Sequence, residues 1–151
     1  MSIQDKITNQ EITFDPNFSP AQRQKLIAAL ENLYGVDGDV NLAGSSRARE
    51  ILDEFTTSAP LHFDYVPGKA EAFGGSNVVR IDPDQSWLII NGSGAVVDAG
   101  LDRIVMHEII HAHLGFRDPH NGLSAFIPYD PIDYQGATVA ENNIIMSQLN
   151  R

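Results

Sequence analysis

Apolar residues fall along this chain in several distinct rhythms. Leu26, Ile27, Leu30 and Leu33 recur at three- and four-residue spacing, which predicts an amphipathic helix. Ser19-Pro20 opens it with a capping serine and a proline at the first helical position, and Gly35 closes it. Asp37 to Gly44 follows as a turn-rich loop. Ile51, Leu52 and Phe55 mark the inner side of a second helix, capped by Ser45 or Ser46. From Leu61 to Val66 the pattern changes to alternation, the mark of a half-buried strand. Gly74-Gly75 precedes a second strand, Asn77 to Ile81, and Asp82-Pro83-Asp84 turns into a third, Trp87 to Asn91. The segment Asp98 to Leu114 is different again. Leu101, Ile104, Val105, Met106, Ile109, Ile110 and Leu114 spread right round it, so it predicts a helix buried on most sides and ended by Gly115. Phe116 to Gln135 predicts a loop, and a last helix runs from Ala137 to about Leu149 with Val139, Ile144, Ile145 and Leu149 as its contacts. The first 18 residues form a lead-in with one short strand, Glu11 to Phe14. With no repeat or linker, residues 19–151 make one domain. The order predicts an α+β fold, a small mixed sheet packed on the buried helix with helices flanking it.

That buried helix carries chemistry. His107-Glu108-Ile109-Ile110-His111 puts two imidazoles one turn apart on one helix face. Two nitrogens so placed suit one zinc ion, with Glu108 as the general base toward a water activated there. Buried imidazole and carboxylate groups are costly unless they are paired or bind metal. The chain has no cysteine, so any zinc ligands come from His, Asp, Glu or Tyr. Glu141 on the last helix is the favoured third ligand. Asp118, His120, Asp130 and Asp133 are the other candidates, and Glu141 could equally be a first-turn carboxylate favoured by the helix dipole. His113 projects to another face of its helix. Tyr134, ahead of Tyr129, is the candidate donor to the oxyanion of a tetrahedral intermediate, against a plain packing role.

Composition narrows the partners. The 151 residues carry a net charge of -10 and no basic cluster, which argues against nucleic acid and anionic membranes. No apolar stretch has the length of a membrane span, and the N-terminal residues lack the apolar core of a cleavable secretory signal. A protein or peptide substrate is the expected partner. Trp87 to Asn91 is either a sheet edge on which an extended peptide adds a strand or an ordinary core strand.

The pentad is the zincin signature, and three stretches are similar to the small zinc metallopeptidases that bacterial type III secretion systems inject as effectors. Gly44 to Leu52 resembles their early helix, His107 to His113 their metal helix, and Thr138 to Asn143 their downstream Thr-x-x-Glu-Asn segment. The resemblance implies a minimal zincin-like domain, a Zn2+ cofactor and Glu141 as third ligand. It also implies a secreted effector that cleaves an intracellular host protein in the target-cell cytoplasm; a plain cytoplasmic protein is the alternative. Gly115 and Asp118 each fall one position later than the His-x-x-Gly-x-x-His/Asp extension of the metzincins requires. Two other functions fit the same residues: a zinc hydrolase acting on a non-peptide substrate, and a non-enzymatic binding module on a degenerate zincin scaffold.

Overall fold

Ser2 starts the first helix. In the computed structural model, which describes residues 1–90, 93–115 and 137–149, its hydroxyl accepts from the Asp5 amide at 3.1 Å while the Asp5 carboxylate accepts from the Ser2 amide at 2.8 Å. This reciprocal cap supports the six-residue helix α1, Ile3–Thr8, which buries Ile3 and Lys6. The segment expected as a lead-in therefore belongs to the core, with Ile12 and Phe18 also buried. Ser19 repeats the device with Gln22 and opens α2, Pro20–Tyr34. Ser45 caps α3, Ser46–Asp53, by accepting from the Ala48 amide. Between α2 and α3 the chain turns back sharply. A Cβ on Gly44, whose φ is 75°, would fall 2.5 Å from the Tyr34 carbonyl oxygen, so glycine is needed there.

The sheet is mixed, as expected, with strand order β1-β2-β4-β3. Strand β1 (Ile12–Phe14) and β4 (Val78–Ile81) run parallel to the central β2 (Leu61–Tyr65), and β3 (Ala70–Ala72) pairs antiparallel with β4. Alternation sends Leu61, Phe63, Val79 and Ile81 into the core. His62, Asp64 and Arg80 take the other face. There the Thr13 hydroxyl lies 2.7 Å from His62 Nδ1, and His62 Nε2 lies 2.9 Å from Asp64. The expected third strand does not join this sheet. It is β5 (Leu88–Ile90), which forms a separate antiparallel hairpin with β6 (Val96–Asp98), and Leu88 is 62% exposed. Because Val96–Asp98 is drawn into that pairing, the next helix begins later than the apolar run suggested.

That helix, α4, spans Leu101–Leu114 and ends in a left-handed Gly115. It packs against α2, α5, β3 and β4, and Val105, Met106, Ile109, Ile110 and Ala112 are fully buried. Burial on several sides is what its all-round apolar pattern demands. Its last turn is tied to the β3–β4 connection, since the Gly75 amide donates to the Ala112 carbonyl at 2.9 Å. Helix α5, Ala137–Gln148, lies against α4 and α3 with Ile145 and Met146 buried. Ile144, expected as a contact of that helix, is half exposed, and Met146 takes the inward place. The result is an α+β fold. No helix among the described residues is long and apolar enough to cross a membrane.

Candidate metal centre

One helix positions the histidine pair, and its regular rise sets their separation. His107 Nε2 and His111 Nε2 stand 3.1 Å apart, with ring centroids at 4.7 Å and planes at 78°. Two nitrogens bonded at about 2.0–2.1 Å to one tetrahedral centre would be about 3.4 Å apart. The pair therefore fits two corners of such a centre without moving the backbone. His111 is buried and His107 half-buried, so one imidazole has been taken almost wholly out of water. Glu108, the residue between them in the pentad, is 9% exposed. The donor set on α4 is nitrogen and oxygen throughout, the chemistry that suits a borderline cation such as zinc.

The structure does not bring Glu141 to this pair. Its carboxylate accepts from Arg47 Nε of α3, and Arg47 Nη1 holds Glu50 at 2.9 Å. The bond to Glu141, and then that to Glu50, raises the pKa of Arg47 above its ordinary value. Among the described residues, no group of three His, Cys, Asp or Glu side chains is placed to hold a metal ion. The physical reason is that a guanidinium on the neighbouring helix already satisfies Glu141, and its side chain is only 15% exposed. Tyr134, Tyr129, Asp118, His120, Asp130 and Asp133 lie outside the described residues.

His113 faces away from the pair, as its spacing predicts. Its Nε2 meets Glu54, its Nδ1 lies 3.3 Å from Asn77 Oδ1, and its ring packs against Phe55 at 4.5 Å between centroids, tilted by 52°. Three contacts beside Glu141 could not be read from the sequence. Arg47 sits in the first turn of α3, Asn142 donates from Nδ2 to the Arg103 carbonyl at 3.2 Å, and Arg103 Nη1 reaches Asn143 Oδ1 at 3.4 Å. Each contact joins residues far apart in the chain, which no local spacing reveals. Burial lowers the pKa of Arg103 from its usual value.

No protein-family model matches the chain, and no curated protein or solved structure matches it either.

Proposed function

We propose that the protein is a zinc-dependent endopeptidase in which His107 and His111 hold the metal and Glu108 moves the proton. The observation that carries this reading is the pair of Nε2 atoms 3.1 Å apart, with a buried glutamate next to the first histidine on the same helix. Zinc, when bound, polarises a peptide carbonyl and acidifies water at its side. Glu108 accepts the proton released from the attacking water and returns it to the amine that leaves, so one carboxylate serves as base and then as acid. The resemblance of three stretches to injected effector metallopeptidases supports a protein substrate inside a host cell and a secreted origin. Tyr134 is kept as the candidate oxyanion donor on the sequence argument alone.

The test is Glu108→Gln assayed on a broad peptide library and on a cell lysate. Wild-type protein is expected to cut and the variant to fold, keep its zinc and fail to cut. Equal cleavage by both would remove Glu108 from the mechanism. A second reading has one observation in its favour: 3.1 Å also suits an N–H···N hydrogen bond between the two imidazoles, as in a metal-free binding module. Elemental analysis of purified protein separates the two, since that module holds no zinc.

A further inference from the structure

Arg103 is a cation set where helix physics works against it. It stands in the first turn of α4, and the positive end of the helix dipole disfavours a cation there. Its side chain is half-buried, and Nη1 reaches a neutral amide oxygen, Asn143 Oδ1, at 3.4 Å. Among the described residues no carboxylate pairs with its guanidinium, although the chain has 20 Asp and Glu against 10 Lys and Arg. The adjacent Asp102 turns its Oδ1 to the Arg103 backbone amide instead, at 2.8 Å. Every other described lysine or arginine either meets a carboxylate or stands exposed in water. Burial lowers the Arg103 pKa, and no described carboxylate raises it again. A partly desolvated charge without a counter-charge is unfavourable, and an anion brought by a ligand would relieve it.

The place of this cation says what the ligand is. Asn143 is exposed, so a ligand can approach the guanidinium from that side. Arg103, His107 and His111 follow one another at four-residue spacing, on one stripe of α4 with about 5–6 Å between neighbouring Cβ atoms. A guanidinium offers a planar fork that matches a carboxylate through two parallel hydrogen bonds. The chain's net charge of -10 works against acidic peptides in general, so affinity for one has to come from a local cation. We propose that Arg103 binds a carboxylate of the peptide substrate and lays the chain along this stripe towards His107. The word substrate rests on the peptidase reading above; the carboxylate contact itself needs neither zinc nor cleavage.

The experiment uses full-chain Glu108→Gln protein, immobilised so that it holds peptides without consuming them. Two random peptide libraries, one with free and one with amidated C-termini, are passed over it, and the retained peptides are sequenced. Carboxylate-bearing peptides are expected to be retained. Asp or Glu enriched from both libraries marks a side chain as the source, and retention from the free library alone marks the C-terminus. Adding Arg103→Gln should weaken binding of the retained peptides at least about tenfold, the size of one lost charged hydrogen-bonded contact. Arg103→Glu should reverse the preference towards Lys and Arg. Equal binding of the same peptides by Arg103→Gln, or no preference for carboxylates in either library, would overturn the proposal. Wild-type protein gives a readout that no folding defect can blur. Its Arg103 Nε–H resonance should shift as a retained peptide is added, and a resonance that stays put while the peptide binds refutes the contact. The peptidase reading fails separately, by absence of cleavage in wild type, and carboxylate binding through Arg103 would survive that failure.

Discussion

Lys6 and Asp53 form an ion pair at 2.9 Å in which the lysine side chain is 2% exposed and the aspartate 48%. Desolvation therefore falls mainly on the lysine, and the two partners should answer differently to removal. Asp53→Asn strands a buried ammonium and should cost about 2–3 kcal/mol, below the range of a fully buried pair because Asp53 meets water. Lys6→Met removes the buried charge in a shape the core accepts and should be near neutral. Urea unfolding of both variants checks the asymmetry, and equal losses would refute it.

Asp53 also ties stability to acid. Burial pushes its carboxyl up, but hydrogen bonds from Lys6 and Tyr34, with the lysine charge, outweigh that and hold it below the usual range. A carboxylate lowered on folding stabilises above its unfolded pKa of about 3.9, and that contribution is lost as pH falls through the folded value. The stability gap between wild type and Asp53→Asn should stay constant from neutrality to about pH 5, then close below about pH 4.

Tyr34 gives the alkaline counterpart. Burial first, and then its hydrogen bond to Asp53 at 2.8 Å, raises its pKa to about 12. A tyrosine raised on folding stabilises below its unfolded value near 10 and loses that contribution as pH rises through the folded value. Absorbance titration of wild type minus Tyr34→Phe isolates this one of the four tyrosines, and its midpoint should lie near 12.

Zinc should follow the histidines. His107→Ala and His111→Ala are expected to lose the metal, and chelation of wild-type protein should abolish cleavage reversibly, with zinc restoring it. Metal content by elemental analysis is the readout, and stoichiometric zinc in both alanine variants would place the site elsewhere.

Gly44→Ala tests the loop between α2 and α3. The added Cβ meets the Tyr34 carbonyl at 2.5 Å in a backbone at φ 75°, so the variant should lose at least about 1–2 kcal/mol from the left-handed conformation alone. Thermal unfolding measures it, and a melting temperature unchanged from wild type would show that the loop yields freely.

Elements with many periodic positions were legible in the chain itself. The stripe of Leu26, Ile27, Leu30 and Leu33 and the alternation at Leu61 to Tyr65 both appear where predicted, because each buries one face over several residues. Short elements were not. Helix α1 has six residues, and β3 and β6 have three each, too few to display a period. Their signals are tertiary: β3 exists because β4 offers it an edge, and β6 because β5 does. The histidine pair could be read from spacing alone because one helix sets it. Glu141 could not, since its partner Arg47 lies on another helix and nothing local to either residue couples them.

The bond from Gly75 to the Ala112 carbonyl reaches beyond capping. Ala112 follows His111 directly, so the β3–β4 turn grips the backbone next to the second histidine. Gly74 leaves little slack there, because a Cβ on it would come within 3.1 Å of the Gly115 Cα. The turn thus acts as a gauge block between the sheet and the histidine pair. A residue added to or removed from it would reset where His111 stands without touching any side chain of the pentad.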